Sequence, residues 1–315
     1  MKIPVLQANH LMKDSDLSRE EILSLFDFTA KLKNKLKKGE KHSLLKRKTL
    51  GMIFEKSSTR TRVSFQTGIY QLGGHGIFLN KNDIQLGRGE PVRDTARVLS
   101  RYLDGIMIRT FGHDRVEELA RYATIPVING LSDDYHPCQS LADYFTMYER
   151  ESVIKGKKLV YIGDGNNMAN SLMLCGAILG VNVTVVSPAA YQPKAEITAE
   201  ARRLAEKSGA KIDISESVDD SAKGADYLYT DVWASMGQED EAEQRKIQFK
   251  GYCISKELID AQCPQAKILH CLPAHRGEEI TDDAIESPNS IVFDQAENRL
   301  HIQKAIMCAL MGKSS

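Results

Sequence analysis

The sequence predicts an α/β protein made of two doubly wound parallel-sheet domains joined by helices, and three observations carry that prediction. Apolar runs of strand length alternate with helical patterns along most of the chain, the signature of parallel sheets covered by helices on both faces. The length, 315 residues, suits two cores of ordinary size. A second alternating series opens near residue 151, after a long amphipathic pattern beginning at His136.

The elements follow in order. Asp16 and Ser18-Arg-Glu-Glu provide a cap and first-turn acids for a helix, EEILSLFDFTAKLKNKLKKG, that ends at Gly39. Its lysine run reads as a solvated helix face passing into a loop. Then come the strand TLGMIFE, a helix after Arg62 ending at Gly73-Gly74, and GGHGIFLN. A helix around DTARVLSRYL, the strand GIMIRT, the helix VEELARYA and the strand IPVING complete this series, and HPCQSLADYFTMYERES bridges to the next. The second series runs KKLVYIGDG, a helix to LGVN, VTVVSP, the helix EITAEARRLAEKSGA, KIDISES, GADYLYTDVW, a polar helix and AKILHCLP. The tail, NRLHIQKAIMCALMG, is strongly helical. The expected domains are therefore 1–150 and 151–295, with the ligand site in the cleft between them.

Composition narrows the function. Lys+Arg and Asp+Glu both number 42, so there is no global basic field, and neither nucleic acid nor an anionic membrane is expected as a partner. Hydrophobic content of 42% and charged content of 27% are those of a soluble globular chain. Six scattered cysteines without a CxxC pair, and an N-terminus lacking the apolar core of a secretion signal, predict reduced thiols and a cytoplasmic location.

The candidate site residues stand where strands hand over to helices, the place where α/β folds bind ligands. SSTRTR, residues 57–62, gathers four hydroxyls and two guanidiniums at such a joint. A helix N-terminus already attracts anions, and the arginine fork matches phosphate or carboxylate. GxxxxGK[ST] is absent, so an ATP-type cradle is not expected. Arg109 ends the apolar strand GIMIRT, while His136 and Gln139 begin the bridging helix, with Pro137 tolerated in its first turn. Each reads singly as an ordinary salt-bridge or capping residue, but three consecutive strand ends supplying donors point to one ligand.

GDGNNMAN invites a dinucleotide reading and fails it twice. The third glycine position holds Met168, and the following strand ends in Ser187 and Pro188 instead of an acid for the ribose. Asn166 and Asn167 suit the carboxylate or amine of an amino acid. Asp231, directly after ADYLYT, reads as an acceptor for an ammonium group or as a helix cap. Cys271 follows AKIL and reads as a nucleophile, an orienting group or an inert buried thiol. His270, Cys271 and His275 fit no standard zinc spacing, so neither a metal nor a cofactor is expected.

Together FEKSSTRTRVSFQTG, DTARVLSRYLDGIMIR, HPCQSLAD, DVWASMGQE, HCLPAHRGEEI and FDQAENRLHIQKAIM resemble the ornithine carbamoyltransferases, in order, over essentially the whole chain. SxRTR with HPxQ resembles the aspartate/ornithine carbamoyltransferase superfamily as a whole, and DxxxSMG with HCLP its ornithine branch. The resemblance implies that Ser58, Thr59, Arg60 and Thr61 bind the phosphate of carbamoyl phosphate. It implies that Arg109, His136, Gln139 and Thr61 hold the carbamoyl group, and that Cys271 and Leu272 meet the amine and the carbamoyl nitrogen. It gives Asn167, Asp231, Ser235 and Met236 to L-ornithine, with Arg299 completing the pocket from a C-terminal helix, 296–315, that returns to the first domain. It also implies that Gln85 reaches the phosphate of a neighbouring subunit, in a homotrimer with shared sites. The catalytic set so implied is Arg109, His136, Asp231 and Cys271, with Cys271 orienting and no covalent intermediate. Aspartate, acetylated ornithine and putrescine remain alternative acceptors, although Asp231 and SMG favour a free α-amine. Both the biosynthetic and the catabolic direction stay open, as does a catalytically silent homologue.

Overall fold

The computed structural model describes residues 1–234 and 239–312. It contains two compact units, one formed by Met1–Phe145 together with the segment from Asn298, the other by Thr146–Glu297.

In the first unit four parallel strands are arranged β2-β1-β3-β4: β1 is Thr49–Phe54, β2 His75–Asn80, β3 Gly105–Arg109 and β4 Val127–Leu131. β1 and β3 are buried almost throughout, so both read as continuous apolar runs, whereas the edge strand β2 is half-exposed. Leu11 pairs with β4 through backbone bonds to Val127 and Asn129, at 2.9 and 2.8 Å, and covers that edge. Around the sheet lie α1 (Arg19–Lys37), α2 (Thr59–Gln71), α3 (Val92–Tyr102) and α4 (His113–Tyr122). Ile53, Ile106, Ile108, Val116, Leu119 and Val127 form the core on one side of the sheet, each such side chain stabilising the fold by about 1.5–3 kcal/mol.

α5 (Pro137–Glu151) leads into the second unit, where β5 (Lys158–Ile162), β6 (Asn182–Val186), β7 (Ile212–Ser215), β8 (Tyr227–Thr230) and β9 (Lys267–His270) form a parallel sheet in the order β7-β6-β5-β8-β9. Its helices are α6 (Asn167–Leu179), α7 (Ala195–Ser208), α8 (Val218–Ala222), α9 (Ala242–Gln248), α10 (Lys256–Gln262) and α11 (Asp282–Ile285). α12 (Val292–Met311) begins in the second unit and returns the chain to the first, as expected for the tail. In each sheet the strand order reverses once, between β1 and β3 and between β5 and β8. These reversals leave crevices at the strand C-termini.

Two expectations change. α2 starts at Thr59 and not after Arg62, because the Ser58 hydroxyl accepts from the Thr61 amide at 3.2 Å and caps the helix earlier. The lysine run is not wholly solvated: Lys33 is buried and donates to Asn298 Oδ1 at 2.8 Å.

Candidate active site

The first cluster of donors is built on the reversal between β1 and β3. Ser58 is the N-cap of α2, in extended conformation, and no acidic side chain occupies the first turn. The helix N-terminus therefore keeps its partial positive charge, and Thr59 and Arg60 stand exposed beside it. Thr61 points inward, accepting from Ser58 Oγ at 3.1 Å. Arg62 is engaged elsewhere, its guanidinium lying 3.7 Å from the centre of the Phe78 ring. The acid and base just before the motif are also engaged. Glu55 takes a two-pronged bond from Arg115 at 2.6 and 3.0 Å, and Lys56 pairs with Asp133 at 2.5 Å.

Arg109 is the register partner of Phe54, which sets it level with the end of β1, and its carbonyl accepts from the Glu55 amide at 2.8 Å. His136 precedes α5, and its carbonyl accepts from the amides of Gln139 and Ser140. Gln139 is fixed from both sides. Its Nε2 donates to Asp143 Oδ1 at 2.7 Å, and its Oε1 accepts from Arg299. Arg299 also donates to Thr61 Oγ1 at 3.2 Å.

These contacts set the charge state of His136. Burial, then the positive charges of Arg299, Arg109 and Arg60, hold its imidazole well below the usual histidine range. It is neutral at physiological pH. The cluster thus combines three guanidiniums, an uncovered helix start and a neutral imidazole, which suits an anion joined to a polarised carbonyl. Gln85, by contrast, is exposed at the start of a short 3-10 turn, Gln85–Arg88.

The second cluster is built on the reversal between β5 and β8. Asn166 caps α6, its Oδ1 accepting from the amides of Met168 and Ala169 at 2.8 and 3.3 Å. Its Nδ2 donates to Asp231 Oδ2 at 3.1 Å. Asn166 is thus a structural cap and a support for Asp231, while Asn167, half-buried, opens the helix. The other oxygen of Asp231 accepts from its neighbour's amide, Val232, at 2.8 Å and from the Cys271 thiol at 2.9 Å. Ser235 and Met236 lie outside the described residues.

One support of this cluster left no mark in the sequence. Arg245 on α9 donates to Asp164 Oδ2 at 2.8 Å and to the Trp233 carbonyl at 2.9 Å, tying the turn after β5 to the segment after β8. Burial pushes the Asp164 carboxyl up to about 6 even though the Arg245 charge opposes it. Gly165 belongs to this turn for a packing reason, since a Cβ there would collide with the Pro193 nitrogen. The GxG therefore admits the 192–193 backbone, not a pyrophosphate.

Leu272 adopts a left-handed backbone, φ 59, and its amide donates to His270 Nδ1 at 2.8 Å. His270 must then carry its proton on Nε2, which meets Glu279 Oε1 at 3.0 Å. Among the described residues, Asp231, His270 and Cys271 form one group with the composition of a cation site, and His275, Glu278 and Glu279 another. In the first group each side chain already has a protein partner.

A helix start without acidic side chains beside arginines and a buried, neutral imidazole, and in the other unit a carboxylate held by an asparagine and a thiol, suit the class of group-transfer enzymes. Two family models match, the carbamoyl-phosphate-binding domain of aspartate/ornithine carbamoyltransferases over residues 9–149 and the aspartate/ornithine-binding domain over 155–310. The chain belongs to the aspartate/ornithine carbamoyltransferase family. It is 55% identical over 297 residues to an ornithine carbamoyltransferase of Thermococcus kodakarensis, covering 94% of both chains. It is 52% identical over 307 residues to an anabolic ornithine carbamoyltransferase of Pyrococcus furiosus, covering 98% of both. The solved ornithine carbamoyltransferase structure from Pyrococcus furiosus superposes with a TM-score of 0.95 and 50% identity over the full length of each chain.

Proposed function

We propose that the protein transfers the carbamoyl group of carbamoyl phosphate to the δ-amine of L-ornithine, giving L-citrulline and phosphate. The single observation that carries this reading is the gathering of Arg60, Arg109 and Arg299 around the buried, neutral His136. The phosphate dianion takes the N-terminus of α2, with Ser58, Thr59, Arg60 and Thr61 as donors and Arg299 as a further counter-charge. The carbamoyl oxygen faces Arg109, His136 and the Thr61 hydroxyl, and Gln139 helps to hold the carbamoyl group.

The ornithine amine attacks as a free base. Its nitrogen forms the new bond to the carbamoyl carbon, and the carbonyl electrons move onto oxygen, where the three donors stabilise them. Collapse of this intermediate breaks the carbon–oxygen bond to phosphate, which departs with the electron pair, and the surplus proton leaves with it. Each oxyanion donor is worth about 10²–10³ in rate. Asp231 accepts from the α-ammonium group, and Asn167, Ser235 and Met236 complete the amino-acid site. Cys271, bonded to Asp231, orients the reacting amine and makes no covalent intermediate. Because the amine has a reference pKa near 10, activity rises with pH above neutrality.

The exposed Gln85 supports a role in a neighbouring subunit's phosphate site, and hence a homotrimer. Light scattering would give the assembly. Mixing Arg60→Ala with Gln85→Ala chains would restore part of the lost activity only if sites are shared. Among the described residues no cysteine forms a disulfide and no helix is long and apolar enough to cross a membrane, which supports a cytoplasmic enzyme. The anabolic Pyrococcus furiosus relative supports the biosynthetic direction. The deciding assay is citrulline formation from carbamoyl phosphate and L-ornithine, beside aspartate, acetylornithine and putrescine. Turnover with ornithine alone supports the reading; turnover with another amine transfers the activity to that acceptor, and none with any amine overturns it.

A further inference from the structure

We propose that Gln303 is a positioning residue that fixes the Arg299 guanidinium in the phosphate cradle; this rests on the reading of Arg299 as a phosphate ligand. Gln303 is fully buried on α12, one turn beyond Arg299 on the same helix face. With its amide oriented to satisfy both neighbours, the oxygen accepts from Arg299 Nε at 3.2 Å and NH2 at 3.3 Å, and the nitrogen donates to Ser64 Oγ at 2.6 Å. Ser64 lies one turn beyond Thr61 on α2, and its hydroxyl donates to the Thr61 carbonyl at 3.3 Å. Thr61 in turn accepts from Arg299. The four residues thus close a ring, Arg299–Thr61–Ser64–Gln303, that ties α12 to the very helix whose start holds the anion.

The seat beneath this ring is built for close approach. A Cβ on Gly68 would meet Met307 Cε at 3.0 Å and Lys304 Cγ at 3.3 Å, so α12 lies directly on α2 there. Lys304 adds a bond to Gln71 Oε1 at 2.9 Å. Gln303 and Gln139 each accept from Arg299, from different directions, which fixes the plane of the fork. Both acceptors are neutral. A carboxylate at either position would hold the guanidinium equally well but would cancel the charge that the phosphate needs.

The test is equilibrium titration with inorganic phosphate, with KM values for both substrates and thermal melts to verify folding. Gln303→Leu is expected to raise the phosphate Kd and the carbamoyl phosphate KM about tenfold, the loss of one bond to a charged group. The ornithine KM at saturating carbamoyl phosphate should stay within about twofold. In an Arg299→Ala background the same change should add less than about twofold, since it acts only through Arg299. Ser64→Ala, which alters only the outer anchor, should weaken phosphate in the same direction by less and decides the matter if Gln303→Leu does not fold. Phosphate binding by the wild type with no change in Gln303→Leu overturns the proposal alone, as do additive effects with Arg299→Ala. No phosphate binding by the wild type overturns the functional reading and this proposal with it.

Discussion

Arg299 NH2 donates to Thr61 Oγ1 at 3.2 Å across 238 positions of sequence. The contact joins α12 to the first turn of α2, so part of the proposed phosphate cradle comes from the opposite end of the chain. Arg299→Ala should raise the KM for carbamoyl phosphate roughly tenfold to a hundredfold, the worth of a bond to a charged group. Ornithine binding, measured separately, should change little. An unchanged carbamoyl phosphate KM would remove Arg299 from the site.

The two arginines of SSTRTR should behave differently. Arg60 stands exposed at the helix start, whereas Arg62 is held against the Phe78 ring. Arg60→Ala should lower kcat/KM for carbamoyl phosphate by about 10³ or more, the loss of a paired charge. Arg62→Ala should cost about 1 kcal/mol of stability and little activity. Equal kinetic losses in steady-state assays would contradict this division.

His136 gives a pH prediction. Its folded pKa lies well below the ordinary value of 6.5. Below 6.5 the unfolded chain binds a proton that the folded chain does not, so stability falls as the solution is acidified. His136→Asn should flatten that loss between about pH 6.5 and 5, read from denaturant midpoints, while lowering kcat about 10²–10³. A wild-type rate inflection traceable to His136 near its ordinary value of 6.5 would mean that the imidazole carries charge in the working enzyme.

Cys271 donates to Asp231 Oδ1 at 2.9 Å, the bond on which the proposed orienting role of the thiol rests. Cys271→Ser can keep that bond and should retain activity within about tenfold; Cys271→Ala should lose more. Intact-mass measurement during turnover should show no carbamoylated protein. A covalent adduct that vanishes in Cys271→Ser would make the thiol a nucleophile.

Lys304 is buried where α12 lies on α2, and burial depresses its ammonium from 10.5 to about 8. Between those values the unfolded chain holds a proton that the folded chain lacks, so native stability rises as pH climbs from about 8. Lys304→Met should be more stable than wild type at about pH 7, and the gap should narrow toward about pH 10 in thermal melts. A constant gap would mean that Lys304 keeps its proton in the folded state.

Alternation of apolar runs and helices is enough to predict both parallel sheets, because their buried strands are continuous apolar stretches bounded by turns. The strand-end rule likewise leads to Arg109, Asp231 and Cys271 without reference to any relative. What stays hidden depends on contacts remote in sequence. Arg245 supports the second cluster from a polar helix whose composition says only that it is exposed. Gln303 reads as one more residue of a helical pattern, and the burial of Lys33 depends on Asn298. The short helices α8, α10 and α11 span too few turns for a period to register. The early start of α2 escapes the sequence because a serine cap competes locally with an arginine-rich stretch that reads as a loop.

The return of α12 has a consequence for synthesis. A ribosome makes all of the second unit before it reaches Arg299, so the nascent first unit, with β1–β4 already translated, still lacks that guanidinium and the ring that orients it. The bonds from Arg299 to Thr61 and Gln139 therefore form only after the second unit has been translated.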